Sequence, residues 1–76
     1  MIYSRRYIYM EVARETAVKD SGCSETGRIV FTSEELVDGG IKTPYYLFVF
    51  NDGRTQWTYR IDATNRSIIA KTQERI

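Results

Sequence analysis

The strongest pattern in the chain is a block of apolar positions followed by an alternation of apolar and polar ones. Apolar or aromatic residues occupy every position from 45 to 50, and an Asn-Asp-Gly sequence follows. After it, Trp57, Tyr59 and Ile61 alternate with polar residues. A period of two around an Asp-Gly pair is typical of a β-hairpin. Because the first strand is apolar on both faces, we expect it to be central in the sheet or covered by a partner.

Two registers of this hairpin are compatible with the sequence. A two-residue turn at Asp52-Gly53 brings the even-numbered residues of the first strand onto the face of Trp57 and Tyr59. A three-residue loop over 51–53 brings the odd-numbered residues there instead. The first register collects more aromatic surface on one face and is favoured. The even set is Tyr46, Phe48 and Phe50, and the odd set is Tyr45, Leu47 and Val49.

The amino-terminal part carries weaker signals. Residues 2–13 are rich in Tyr, Ile, Met and Val in partial alternation, which predicts a strand. A helix is the competing prediction, because residues 11–17 include several strong helix formers and Ser4 could cap them. Residues 14–27 lose the periodicity and end in small polar residues, so we expect a loop there. A short strand is predicted at 28–31.

A helix-start signature follows that strand. Thr32 is a candidate N-cap and Glu35 completes a capping box. Phe31 and Leu36 are spaced as a hydrophobic staple, and a glycine pair ends the segment after little more than one turn. The signature predicts one short helix near 33–38.

The carboxy-terminal part predicts a turn and a last strand. Residues 63–66 are mostly polar, with Asn65 as the expected left-handed residue. Residues 67–72 predict the final strand, and we expect the charged tail at 73–76 to fray.

Together these elements predict one small domain over residues 1–76. The fold class is mostly β (α+β): a small antiparallel sheet of four to five strands with one short helix near 33–38. A chain of 76 residues buries only a thin core, so association into a homodimer is one route to further stability.

Residues 48–69 resemble the carboxy-terminal hairpin of PepSY modules. The resemblance rests on a strand that ends in Asp62-Ala63 and on the short aliphatic strand that follows a four-residue interval. Arg66 stands where that family usually has glycine, and Asn65 where it often has threonine. Residues 1–30 lack the clear helix that such modules carry. The resemblance implies a non-enzymatic binding or peptidase-inhibitory module, of a kind that usually works outside the cytoplasm.

Residues suited to catalysis are sparse. The chain has no histidine, which removes the commonest general base and a common zinc ligand. Its one cysteine, Cys23, has no partner for an internal disulfide and no histidine to activate it. Glu34 and Glu35 are adjacent and diverge, while Asp52 and Asp62 lie at turns, where Asp hydrogen-bonds the local backbone. We predict a protein that is not an enzyme and has no cofactor and no metal site.

Protein binding is the function class that remains. Tyr, Trp, Phe and Arg are enriched at interface hot spots, and aromatic residues make up 13% of this chain. We predict a non-enzymatic protein-binding module that inhibits a larger enzyme or complex by steric occlusion, in the manner of a phage or mobile-element protein. The predicted anchors, wherever they are solvent-exposed, are Tyr45, Phe48, Trp57 and Tyr59, and the predicted rim contacts are Arg54 and Arg60.

Two other function classes stay open. Arg54, Arg60, Arg66 and Lys71 fall in the last elements, so a basic and aromatic sheet face could bind nucleic acid, although the net charge is only +1. A structural homo-oligomer subunit would instead have a large apolar dimer interface.

The expected compartment is the cytoplasm. No apolar run approaches the roughly 20 residues of a membrane helix. The start of the chain does not resemble a signal peptide, because Glu11 interrupts its apolar run. A single cysteine, which cannot form an internal disulfide, is also typical of a reducing compartment.

Overall fold

The computed structural model describes residues 7–23, 28–38 and 43–76. In this part of the chain one helix precedes four strands: α1 Met10–Ser21, β1 Val30–Val37, β2 Tyr45–Asn51, β3 Thr55–Asp62 and β4 Ile68–Arg75. The strands form one antiparallel sheet in the order β1-β2-β3-β4. The predicted class, mostly β with a small antiparallel sheet and one short helix, is confirmed. Residues 45–50 lie in an inner strand, as expected.

The predicted position of the helix, near 33–38, is wrong. Residues 30–37 instead pair with β2 as the strand β1. Thr32, the predicted N-cap, donates its hydroxyl to the Val49 carbonyl at 3.2 Å, where the register between β1 and β2 shifts. Pairing along a strand of eight residues outweighs a local helix-start signal, because secondary-structure propensity is weak beside tertiary contacts.

The helix lies earlier in the chain. The prediction of a strand over 2–13 is wrong from Met10 onward, because α1 begins there. The competing prediction of a helix is correct for those residues. The loop predicted over 14–27 is wrong up to the end of α1. The remaining parts of those predictions at 2–6 and 24–27 lie outside the described residues.

Small residues allow α1 to pack on the sheet. Ala13 and Ala17, one turn apart, are fully buried. Alanine is the strongest helix former and keeps the helix axis close to the strands. The N-cap is Tyr9, not Ser4, and its side chain makes no capping hydrogen bond. At the other end Gly22 adopts φ 79° and donates its N–H to the Lys19 carbonyl, which ends the helix.

The core lies between α1 and one face of β2 and β3. The even-numbered residues of β2 face α1 together with Trp57 and Tyr59, which confirms the favoured facing set. The Phe50 ring stacks 5.6 Å from the ring of Trp57 and 5.8 Å from that of Tyr59. The buried apolar residues are Ala13, Ala17, Cys23, Tyr46, Phe48, Phe50, Trp57, Tyr59, Ile61 and Ala63.

The turn of the central hairpin is one residue further along than predicted. Asp52 donates its N–H to the Thr55 carbonyl, so the central pair is Gly53-Arg54 and not Asp52-Gly53. Gly53 has φ 95°, a conformation that glycine adopts without strain. The Asp52 carboxylate accepts the N–H groups of Arg54 at 2.9 Å and Thr55 at 3.0 Å. The local backbone role predicted for Asp52 is confirmed.

The second turn differs from the prediction at one residue. Arg66, and not Asn65, has a positive φ, of 71°. The Asp62 carboxylate accepts the Thr64 N–H at 2.8 Å and the Thr64 hydroxyl at 2.6 Å, as expected of Asp at a turn.

β4 extends beyond the predicted last strand. The prediction that 73–76 frays is wrong, because β4 pairs with β3 as far as Arg75. Ile76 then donates its N–H to the Arg54 carbonyl at 2.8 Å. The tail is therefore held by main-chain hydrogen bonds that its polar side chains do not reveal.

Candidate protein-binding surface

The two faces of the sheet have different surroundings. The inner face, which carries Phe48 and Tyr59, packs against α1. The outer face carries the odd-numbered residues of β2, including Tyr45 and Leu47, and no described helix or strand covers it. The strand pairing shows which residues of the neighbouring strands share this face: Leu47 lies opposite Arg60 on β3 and opposite Glu35 on β1. The outer face of β2 is therefore an apolar area of regular structure that no other described element covers.

Its centre is a row of half-buried apolar side chains. Tyr45, Leu47 and Val49 follow one another along β2, and Val37 lies opposite Tyr45 on β1. Side chains at alternate positions of a strand project from the same face, so these four form one continuous patch.

A charged rim borders the patch. The Arg60 guanidinium carbon lies 5.4 Å from the centroid of the Tyr45 ring, within the range of a cation–π contact. Glu35 and Asp62 contribute negative charge on the two sides, because they lie opposite Leu47 and Tyr45 respectively. Both signs of charge thus surround the apolar centre. Arg60 is exposed, and its contact with Tyr45 favours the side-chain orientation in which the guanidinium lies over the ring.

The six predicted binding residues do not form one site. Phe48, Trp57 and Tyr59 are buried in the core, with at most 8% of their surface exposed, so they do not meet the condition of solvent exposure. Their side chains project from the inner face of the sheet, which packs against α1. As surface anchors these three are excluded in the folded chain.

The other three predicted residues are exposed or half-exposed. Tyr45 and Arg60 meet on the outer face through the cation–π contact. Arg54 is exposed at the hairpin turn, at the far end of β3 from Tyr45. Of these three residues, Tyr45 and Arg60 therefore lie together on the outer face, whereas Arg54 lies apart from them.

The predicted binding residues did not include the apolar neighbours of Tyr45. Leu47, Val49 and Val37 complete the patch and were not proposed as binding residues. The signal was available in the favoured register, because burying the even-numbered residues leaves the odd-numbered ones on the opposite face. Val37 gave no such signal, since its segment was predicted to be helical.

A polar cluster joins α1 to β3 and β4 on the inner side. The Asp20 carboxylate accepts the Tyr59 hydroxyl at 2.7 Å and the Lys71 ammonium at 2.8 Å, both on Oδ2. The hydrogen bonds from Lys71 and then from Tyr59 lower the pKa of Asp20. Burial, and then the Asp20 hydrogen bond, raises the pKa of Tyr59. A shallow cavity of about 170 Å³ lies beside these groups. Their polar atoms satisfy one another, which makes the cluster a structural tie.

Within the described residues, Cys23 and the acidic side chains are the groups that bear on nucleophilic or metal chemistry. Cys23 is buried behind the end of α1, and this burial raises the pKa of its thiol, which disfavours the nucleophilic thiolate. No group of three His, Cys, Asp or Glu side chains in residues 7–23, 28–38 and 43–76 is arranged to hold a metal ion. Among the same residues, no helix is long and apolar enough to cross a membrane.

Comparison with protein-family models, with curated proteins and with solved structures found no match to this chain. The geometry of the outer face is therefore the basis on which a function is proposed.

Proposed function

We propose that this protein is a non-enzymatic protein-binding module that docks a larger protein on its outer face. The observation that carries the proposal is the uncovered patch of Tyr45, Leu47 and Val49 on an inner strand. An inner strand with one face buried and the other half-exposed and apolar loses further water when a partner covers it.

The composition of the patch supports a protein partner. An apolar centre with an aromatic residue and an arginine, surrounded by polar groups, matches the usual composition of interface cores and rims. Arg60 is held against Tyr45 before binding, so less side-chain freedom is lost when a partner arrives. Glu35 and Asp62 beside it favour a partner with charges of both signs.

The same features make nucleic acid a weaker candidate. Of the aromatic residues that could stack bases, Trp57 and Tyr59 are buried, which leaves Tyr45 as the aromatic residue of the outer face. Lys71 is engaged by Asp20 at 2.8 Å, and the rim of the outer face is mixed in charge. A phosphate backbone would therefore meet carboxylates as well as cations on this face.

Steric occlusion is the proposed mode of action. A sheet face of apolar side chains with a mixed-charge rim would act on a partner by covering part of its surface. Covering a functional surface of a larger enzyme or complex would inhibit it. The resemblance of residues 48–69 to PepSY modules implies the same general class of activity.

The experiment is a tagged pull-down from a lysate of the source organism, with and without nuclease, using matched variants. Tyr45→Ala and Arg60→Ala alter the outer face. Tyr9→Ala and Arg28→Ala make the same changes at exposed positions outside that face. Circular dichroism verifies that each variant is folded.

We expect one stoichiometric protein to survive nuclease treatment and to be retained by the control variants. Tyr45→Ala and Arg60→Ala should weaken its binding by about 30-fold each, the effect of removing a hot-spot residue. Equal binding by all four variants would exclude the outer face. Recovery of nucleic acid alone would instead support the basic-face alternative.

A further inference from the structure

The strand β4 is exposed along its whole length. Each of its eight residues is exposed, although β4 pairs with β3 at every position except Ile69, where the register shifts. Ile68 and Ile69 expose 37% and 47% of their surface. β4 lies at the edge of the sheet and contains no proline. A long edge strand with unpaired main-chain groups is a template for pairing with another strand.

The main-chain groups that face away from β3 can be assigned. Ile76 donates its N–H to the Arg54 carbonyl, so residue 76 faces β3. Main-chain groups alternate in direction along a strand, so residues 74 and 72 face β3 as well. The N–H and C=O groups of Lys71, Gln73 and Arg75 therefore face outward from the sheet.

Symmetry limits how two copies of β4 can pair. A two-fold axis perpendicular to the sheet keeps every side chain on its own face. In an antiparallel pair of identical strands, this axis places one residue directly opposite the same residue of the other copy. That residue is the centre of the register. Centring it on Lys71 puts two lysines opposite each other, and centring it on Gln73 puts Lys71 opposite Arg75. Like charges directly opposite destabilise a strand pair.

Centring the axis on Thr72 avoids both conflicts. Lys71 then lies opposite Gln73, Ala70 opposite Glu74 and, by count, Ile68 opposite Ile76. In this register the outward main-chain groups of Lys71 and Gln73 meet each other. Of the two registers that pair seven of the eight residues of β4 with each other, the one centred on Thr72 alone has no like charges directly opposite.

We propose that two copies of this chain pair through β4, antiparallel and centred on Thr72, to form one continuous eight-stranded sheet. Lys71 suits this arrangement because its charge is already balanced within its own copy by Asp20. The outer faces of both copies lie on the same side, so the dimer is bivalent for the proposed partner. The pairing itself does not depend on that proposed function.

The test measures dimerisation by sedimentation velocity over a concentration series. Thr72→Glu and Thr72→Lys each place two like charges at the symmetry axis, and each should weaken the dimer by up to about fivefold. An equimolar mixture of the two variants should form a heterodimer that is tighter than either homodimer. The recovery should be largest in a register that puts residue 72 opposite itself, because neighbouring registers separate the two side chains along a diagonal.

A second pair of variants tests the main-chain hydrogen bonds. Gln73→Pro removes an outward N–H that β3 does not use, and should weaken the dimer by about tenfold or more. Gln73→Ala keeps that N–H and should leave the affinity within about twofold. Circular dichroism checks that both remain folded.

The proposal is overturned if the unmodified chain is monomeric at every soluble concentration or forms open-ended polymers. It is also overturned if a dimer forms but the mixture of Thr72 variants shows no recovery. In that case another surface holds the two copies together.

Discussion

Residues that are close together on β2 differ sharply in environment. Phe48 exposes none of its surface and contacts the core aromatics, whereas Tyr45 and Leu47 remain half-exposed on the outer face. A substitution on one face therefore tests folding, and one on the other face tests binding. Asp20 adds a third environment, since its carboxylate is partly exposed yet accepts hydrogen bonds from Tyr59 and Lys71.

Replacing Phe48 should remove much of the stability of the domain. We expect Phe48→Ala to lower the free energy of unfolding by about 3–5 kcal/mol, because it leaves a cavity beneath α1. A domain of this length has roughly 4–11 kcal/mol in total. Urea denaturation followed by circular dichroism measures the change. The matched variant Tyr45→Ala should lose about 1 kcal/mol or less, and similar losses for both would contradict the assigned faces.

The Asp20 cluster predicts a specific dependence on pH. The pKa of Asp20 in the folded chain lies below its ordinary value, first through the Lys71 hydrogen bond and then through Tyr59. The ionised carboxylate therefore stabilises the fold fully above the ordinary Asp pKa of about 4, and this contribution is lost as the pH falls through the folded pKa. Asp20→Asn should be less stable than the parent chain at pH 7 by up to about 1 kcal/mol, since the pair is partly exposed.

The difference between Asp20→Asn and the parent chain should shrink below pH 4, which denaturation curves at several pH values will measure. Glu15→Gln makes the same chemical change on α1, and at pH 7 it should alter stability by less than about 0.5 kcal/mol. Tyr59→Phe removes one of the two donors and should move the pKa of Asp20 part of the way back. A difference that stays constant through the acid range would exclude the cluster as its source.

At the scale of elements, two aspartate side chains hold the backbone of the two hairpin turns. The carboxylates of Asp52 and Asp62 accept main-chain N–H groups at the two hairpin turns. The two turns differ in one respect, because the first places glycine at its positive φ and the second places Arg66 there. A side chain with a Cβ is strained in that conformation.

Arg66→Gly should therefore stabilise the β3–β4 hairpin. We expect a gain of about 0.5–1 kcal/mol, because relief of the left-handed strain exceeds the added freedom of glycine in the unfolded chain. Arg66→Ala removes the same charge but keeps the Cβ, so it should give no gain. Thermal denaturation of both variants distinguishes strain from charge, and equal melting temperatures would contradict the proposal.

At the scale of the whole molecule, α1 is joined to the sheet by apolar packing and by polar contacts. Ala13 and Ala17 pack on the core, Arg14 contacts Glu34 of β1 at 2.7 Å, and Asp20 contacts Lys71 of β4. Cys23 follows α1 directly and exposes 2% of its surface. Exposure of its thiol therefore reports detachment of this end of the helix.

Labelling of Cys23 should require opening of the fold. We expect the native chain to react with a thiol reagent at least about 1,000-fold more slowly than the urea-unfolded chain, because the native thiol is inaccessible and the raised pKa disfavours its thiolate. Mass spectrometry gives the labelling rate. Phe48→Ala should accelerate it in proportion to its loss of stability. Fast labelling of the native parent chain would show that the end of α1 opens locally.

Part of the outer face could be predicted from the sequence. Tyr45 and Arg60 were proposed because aromatic and arginine residues are common in interfaces, and the structure brings them into contact. Phe48, Trp57 and Tyr59 have the same residue types but lie in the core. Residue type alone cannot distinguish a buried aromatic from an exposed one, because both follow from the same apolar strand pattern.

The sequence by itself determined the antiparallel class and the central hairpin, and it favoured one of two facing sets, because alternation and turn chemistry act between residues that are near in the chain. The tertiary structure decided the rest. It made residues 30–37 a strand, since pairing with β2 outweighs a capping signal, and it made residues 10–21 the helix, since two small alanines pack closely on the sheet. It also decided which face is covered. That choice depends on where α1 docks, which is a contact between distant segments that no local pattern encodes.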